Sequence, residues 1–176
     1  MATQNAVPLS PAELEQIRTD LANLLRDHIC GNLVSAVFNQ LSTNTGKKAF
    51  SADAMKIFEA VEKQGGFGRR TLGATAEGGS TVGNGNAFIN INFFVSPEPM
   101  ISASNGRVIL HELFHVGSST GSDYSHFEMA SAAFDVAQAQ GFTGLGVRPS
   151  GEDPQGHDRV NSEIFNSILF RACHVR

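Results

Sequence analysis

The order of apolar and polar residues predicts three helices in the N-terminal third of the chain. Ser10 followed by Glu13 forms a capping box, and Pro11 stands at the first helical position, so a helix is expected to begin there. Apolar residues then recur at helical spacing at Leu14, Ile17, Leu21, Leu24 and Leu25. The same spacing predicts a second helix that ends at the polar stretch STNTG, and a third that runs from about Ser51 to Gly65-Gly66.

The middle of the chain changes from helical spacing to alternation. Residues 65–86 are rich in glycine and small polar residues, which indicates loops and short strands. The segment AFININFFV, residues 87–95, then has the two-residue period of a β-strand, and Pro97 and Pro99 follow it. We therefore expect a small sheet with this segment as one of its strands.

Helical spacing returns in the C-terminal half. A helix is predicted from about Asn105 to His115, and Ser125 with Glu128 forms a capping box for another helix that should stop at Gly141. A last helix carries apolar residues at Val160, Ile164, Ile168 and Ala172. These elements predict one α+β domain over residues 1–176, rich in helix with a small β-sheet, and a flexible segment at residues 1–10.

Composition and charge narrow the function classes. The chain has 176 residues, 41% of them hydrophobic and 17% charged, as in ordinary globular domains. A net charge of −4 without a basic stripe argues against nucleic-acid binding, and no apolar run approaches the ~20 residues that cross a bilayer. The N-terminal residues lack the pattern of a signal peptide. We expect a monomer, and we slightly favour a secreted or cell-surface location over the cytoplasm.

The two cysteines, Cys30 and Cys173, lie far apart in the sequence and cannot form a CxxC metal site. They can form one disulfide that closes most of the chain into a loop, or they can stay as two buried thiols. The sequence leaves both alternatives open.

The segment HELFH, residues 111–115, carries the candidate chemistry. His111 and His115 are four residues apart, so a helix places both imidazoles on one face, where both can bind one Zn²⁺ ion. Glu112 projects about 100° away around the helix. It can therefore stand beside the metal and act as a general base without being a ligand. Because the neighbouring residues are apolar, the other faces of this helix should be buried, which would make an unpartnered cluster of polar groups costly.

The stretch VILHELFHV resembles the active-site helix of zincin metallopeptidases, including a valine three residues before the first histidine. Gly117 departs from the longer zincin pattern, which usually has a hydrophobic residue there. More loosely, residues 30–134 resemble bacterial zincin-like domains, some of which lie at the C-terminal ends of Rhs-repeat proteins. The resemblance implies a zincin-like fold, a zinc cofactor and the hydrolysis of a peptide or protein substrate.

A catalytic zinc ion commonly has three protein ligands and one open position. His126 is the preferred third ligand, because the chain can reverse through SSTGSDY and return position 126 to the metal. Asp123 is the reserve candidate, as a ligand or as an acceptor for a histidine N–H. Glu128 is a weaker candidate, because the capping box with Ser125 already gives it a structural role.

In the expected mechanism Glu112 takes a proton from the zinc-activated water and passes it to the leaving amine. Tyr124 and His157 are the candidates for stabilising the oxyanion. Since zincin substrates usually pair with an edge strand, AFININFFV is the expected strand for the substrate. Two alternatives stay open: a zinc-stabilised binding or effector domain of a larger bacterial protein that has no catalytic activity, and a metal-dependent hydrolase of non-peptide substrates.

Overall fold

Six helices make up most of the described chain. The structure is a computed structural model, and it describes residues 6–63, 65, 67–70, 79–82, 90–94, 103–120, 122–151 and 157–173. The helices are α1 (Pro11–Arg26), α2 (His28–Thr45), α3 (Ala54–Lys63), α4 (Ala103–Val116), α5 (His126–Ala139) and α6 (His157–Ala172). Four strands accompany them: β1 (Ala6–Pro8), β2 (Phe67–Arg70), β3 (Gly79–Val82) and β4 (Asn90–Phe94).

Local signals in the sequence set several helix ends. Both predicted capping boxes are confirmed, at Ser10 with Glu13 for α1 and at Ser125 with Glu128 for α5. In each of them the serine hydroxyl accepts a hydrogen bond from the glutamate N–H, and the glutamate side chain accepts one from the serine N–H. Gly46 follows α2 with a φ of 69°, a left-handed conformation that glycine adopts without a steric penalty.

One hydrophobic core joins all six helices. Each helix contributes fully buried side chains, among them Leu21 of α1, Phe38 of α2, Phe58 of α3, Phe114 of α4 and Phe165 of α6. Alanines dominate the buried face of α5 and allow close packing, and this helix makes extensive contacts with α2 and α6. The metal-motif helix α4 therefore lies inside the helical assembly and packs against α1, α3 and α5.

The predicted α+β class is wrong, because the protein is mostly α-helical. The helices have 10 to 18 residues and carry nearly all of the described core, whereas the strands have only three to five residues. Phe67 is a strand residue whose side chain the structure describes, and it belongs to that core. The alternating pattern correctly predicted a strand at AFININFFV, but a strand pattern does not reveal whether a sheet carries the core.

The strands pair in the order β1-β2-β4-β3. β4 runs parallel to β2 and antiparallel to β3, so both of its edges are paired among the described strands. For Asn90–Phe94 the expectation that this strand offers a free edge to a substrate is therefore wrong, and residues 87–89 and 95 of AFININFFV lie outside the described residues. β1 lies inside the segment that was expected to be flexible, and it pairs with β2. Residues 1–5 lie outside the described residues.

A disulfide joins Cys30 at the start of α2 to Cys173 directly after α6. Of the two alternatives that the sequence left open, the structure therefore has the disulfide. Both cysteines are buried, and the bond spans 143 positions of the sequence. It fixes the C-terminal end of α6 to the core.

Among the described residues, no helix combines the length and the apolar character that crossing a bilayer requires.

Candidate metal centre

Helix α4 presents His111 and His115 on the same face, as their four-residue spacing predicts. Next to this face the helix is anchored in the core, where the ring of Phe114 stacks on Phe38 with 4.2 Å between the ring centroids. Leu110 and Leu113 are fully buried as well. The packing of these apolar side chains fixes the rotation of α4 and thus the direction of both imidazoles.

Gly117 is the first residue after α4, and it packs closely against the core. A Cβ atom at this position would lie 2.5 Å from Cε1 of Phe38 and 3.1 Å from the Leu113 carbonyl oxygen. Real Cβ atoms essentially never come as close as 2.5 Å to another atom, so a side chain does not fit without movement of the core. This close packing accounts for a glycine at position 117.

The loop after α4 is held by the segment that connects α2 and α3. The Phe50 N–H donates to the Gly117 carbonyl at 2.7 Å, and the Ser119 N–H donates to the Lys48 carbonyl at 2.9 Å. Farther along, the Tyr124 N–H donates back to the His115 carbonyl at 3.0 Å. These main-chain bonds turn the chain back toward α4, which brings the start of α5 beside the two histidines.

The turn places His126, the first residue of α5, against both histidines of α4. Its Nε2 lies 3.1 Å from Nε2 of His111 and 2.9 Å from Nε2 of His115. The candidate ligand atoms of all three residues lie within 4.8 Å of one another. The structure thus brings together the three histidines that the sequence had nominated.

Hydrogen bonds on the far side of two rings aim their Nε2 atoms at this centre. His111 Nδ1 donates to Oδ1 of Asn166 at 2.7 Å, and His115 Nδ1 donates to the Tyr124 carbonyl at 2.7 Å. A neutral imidazole that carries its hydrogen on Nδ1 has a lone pair on Nε2. Histidine ligands of metals are usually oriented by such a bond on the other ring nitrogen.

The arrangement of the three Nε2 atoms suits the binding of a small cation better than it suits hydrogen bonds among the three rings. Two of them present lone pairs, and one hydrogen on His126 Nε2 can point at only one of the two. A tetrahedral Zn²⁺ ion with Zn–N bonds of about 2.05 Å places its ligand nitrogens about 3.3 Å apart. The two observed separations approach that value. The donor set therefore suits a metal ion.

Burial keeps His111 neutral. Removal of its imidazolium from water is the main effect that lowers its pKa, from 6.5 to about 4, and the nearby charge of His115 lowers it further. The negative charge of Glu112 opposes this and raises the His111 pKa, which places that carboxylate within electrostatic reach of the histidines. Glu112 is itself only 6% exposed. His111 thus offers a neutral nitrogen donor at neutral pH, and the side chain of Glu112 is buried beside it.

The other nominated ligands lie outside this centre. Asp123 is exposed, and its carbonyl oxygen, not its carboxylate, accepts a hydrogen bond from Lys47. The carboxylate of Glu128 accepts hydrogen bonds from the Ser125 N–H and from Lys47 Nζ, at 3.0 and 2.8 Å. Neither residue belongs to the group of converging ligand atoms.

The two residues nominated for the oxyanion differ in what the structure describes. Tyr124 is fully buried, and its hydroxyl donates to the Lys47 carbonyl at 2.6 Å. Its main-chain carbonyl is the group that contacts the centre, through His115. His157 is the first residue of α6, and its side chain lies outside the described residues.

Sequence reasoning missed Asn166. It lies on α6, 55 residues after His111, and only the tertiary packing of α6 reveals their contact. The available signal was an amide directly after Phe165, a residue on the buried helix face that also carries Ile168 and Leu169. Polar residues beside core positions are common, so this signal does not identify the residue that Asn166 contacts.

Comparisons with models of protein families, with characterised proteins and with solved structures found no match for this chain.

Proposed function

We propose that the protein is a zinc-dependent hydrolase of peptide bonds, with His111, His115 and His126 as metal ligands and Glu112 as general base. The convergence of three Nε2 atoms beside a buried glutamate is the observation that carries this proposal. The resemblance of VILHELFHV to the active-site helix of zincins supports it and favours a peptide or protein as the substrate.

Zinc is the metal that this donor set suits best. Three imidazoles and no carboxylate among the ligands favour Zn²⁺ over Mg²⁺ or Ca²⁺, which prefer oxygen ligands. Three protein ligands also leave one tetrahedral position open, as in catalytic zinc sites. A bound zinc ion would supply a Lewis acid and would acidify a water molecule at that open position.

Residues of the chain supply the remaining functions, which are metal binding, orientation of the ligands and proton transfer. The histidines hold the ion, and the bonds from Nδ1 of His111 and His115 keep two of the rings in the required orientation. Glu112 follows His111 on the same helix and is close enough to raise its pKa. Its carboxylate accepts a proton from the attacking water and returns it to the amine that leaves.

The test compares the wild-type protein with Glu112→Gln, which keeps the shape of the side chain and removes its basicity. Both proteins are loaded with zinc, their zinc content per chain is measured, and cleavage of a peptide library is followed by mass spectrometry. We expect one zinc per chain in both, and a loss of about 100-fold or more in cleavage rate in the variant. Glu59→Gln, at an exposed position of α3, is the matched control and should cleave like the wild type.

Wild-type cleavage rates in Glu112→Gln would contradict the assigned role of this glutamate. If the wild type binds one zinc per chain and cleaves no peptide, peptide hydrolysis is refuted. The zinc-stabilised binding domain and the hydrolase of non-peptide substrates are then the two alternatives. If the wild type binds no zinc, the proposed centre itself is wrong.

A further inference from the structure

Helix α6 brings the side chain of Asn166 to the metal centre. Oδ1 of Asn166 accepts the hydrogen bond from Nδ1 of His111 at 2.7 Å. We propose that Asn166 is a positioning residue for this centre, which sets the metal affinity by holding His111 with its Nε2 lone pair directed at the ion. This inference rests on the metal centre of the proposed function and does not depend on peptide hydrolysis.

The position of Asn166 is rigidly determined. Its neighbour Phe165 is buried and meets the ring of His111 edge to face, with 5.4 Å between the centroids. The same phenyl ring meets Phe114 of α4 at 5.1 Å. Farther along α6, the disulfide at Cys173 ties the helix end to α2. The amide is therefore presented by a fixed element rather than by a mobile loop, which is what accurate orientation of a ligand requires.

The two oriented histidines of α4 differ in what holds them. His115 is held by a main-chain carbonyl, that of Tyr124, which no side-chain substitution removes. His111 is held by a side chain that can be changed. Without an acceptor at position 166, the imidazole can turn or carry its hydrogen on Nε2, and either change removes the lone pair from the centre. The loss of such an outer hydrogen bond typically costs 10- to 100-fold in metal affinity.

The chemistry of the acceptor yields a second expectation. The asparagine amide is neutral, whereas the same hydrogen bond to a carboxylate would add a negative charge behind His111. A carboxylate makes the imidazole a stronger donor and attracts the cation. Replacement of Asn166 by aspartate keeps an acceptor oxygen in place, so it should preserve or increase metal affinity, although it places a charge in a partly buried site.

The experiment measures zinc affinity on the intact, disulfide-bonded chain by competition with a chromophoric chelator, and the visible absorption of the Co²⁺-loaded protein. The variants are Asn166→Leu and Asn166→Asp. Asn161→Leu is the matched control: Asn161 is a buried amide on the same helix, and it donates to the Ser150 carbonyl at 3.3 Å instead of to a histidine. Thermal unfolding without metal reports the folding of each variant separately.

We expect zinc affinity to fall 10- to 100-fold in Asn166→Leu, with an altered Co²⁺ spectrum, and to stay equal or rise in Asn166→Asp. Asn161→Leu should lower the unfolding temperature and leave zinc affinity within about twofold of the wild type. If Asn166 contributed only to packing, Asn166→Asp would lower zinc affinity at least as much as Asn166→Leu does.

Two results would overturn the positioning role: wild-type zinc affinity in Asn166→Leu, or a tenfold loss in Asn166→Asp. The loss of affinity in Asn166→Asp would overturn the role even if Asn166→Leu does not fold. Either one leaves the proposed function intact as long as the wild type binds one zinc per chain and cleaves peptides. Failure of the wild type to bind zinc would instead overturn the metal centre on which both proposals stand.

Discussion

Acidification of the metal-free protein is expected to destabilise it through His111. Burial, reinforced by the charge of His115, lowers the pKa of this residue from 6.5 to about 4 in the folded protein. The unfolded chain lacks that environment, so its imidazole should titrate near the ordinary value of 6.5. The two states therefore bind different numbers of protons between these two pH values.

The sign and the size of the effect follow from this difference. Above pH 6.5 both states hold a neutral imidazole, and the contribution of His111 to stability is fully present. As the pH falls from 6.5 toward 4, the unfolded chain binds a proton that the folded chain does not, so the free energy of unfolding decreases. The gap between the two pKa values corresponds to a loss of about 3 kcal/mol, complete below pH 4.

The assay is urea unfolding in the presence of a chelator at a series of pH values from 7.5 to about 3.5, followed by far-ultraviolet circular dichroism. The compared proteins are the wild type, His111→Gln and, as a control, His28→Gln, which changes an exposed histidine. The wild type loses stability with acid for several reasons, so the informative quantity is its difference in unfolding free energy from each variant.

The difference between the wild type and His111→Gln should shift in favour of the variant by about 3 kcal/mol from pH 7 to pH 4. His28→Gln shows what the same substitution does at an exposed histidine, and the shift in His111→Gln is judged against it. A difference from His111→Gln that does not change with pH would refute the reasoning, because it would mean that His111 titrates alike in both states.

Three further substitutions test other parts of the structure. His126→Ala should reduce zinc from one per chain to a small fraction in metal analysis, whereas Asp123→Ala should keep a full zinc ion, and the reverse pattern would exchange the two assignments. Gly117→Ala should lower the unfolding free energy by about 1–3 kcal/mol through overpacking against Phe38, and an unchanged melting temperature would contradict the close contact. The double substitution Cys30→Ser and Cys173→Ser should lower the free energy of unfolding by about 5 kcal/mol, because the disulfide closes a loop of 143 positions. A decrease below about 1 kcal/mol in urea unfolding would show that the disulfide hardly restricts the unfolded chain.

The sequence predicted those features that depend on nearby residues. Ser10 and Ser125 each form their capping box within four residues, so the starts of α1 and α5 could be read directly. The facing of His111 and His115 depends only on helical periodicity. The return of His126 could be predicted for a related reason, because the connecting loop is short and contains residues that break a helix.

The sequence did not predict what depends on packing between distant segments. The strand at AFININFFV was found, yet its weight in the fold was overestimated, because alternation says nothing about which elements form the core. The hydrogen bond from His111 to Asn166 requires α6 to pack beside α4, and no local pattern encodes that arrangement. The need for a glycine at position 117 comes from the ring of Phe38 on α2, a contact that the sequence does not reveal.

The disulfide also determines how cleavage of the chain would be detected. Cys30 and Cys173 lie near opposite ends of the sequence, so any single peptide bond cut between them leaves two pieces that remain covalently joined. The protein is proposed to hydrolyse peptide bonds, so it could cut its own chain between the cysteines. The joined pieces would then weigh only one water molecule more than the intact chain. Gel electrophoresis without reductant would still show a single species, and only a reduced sample would reveal the fragments.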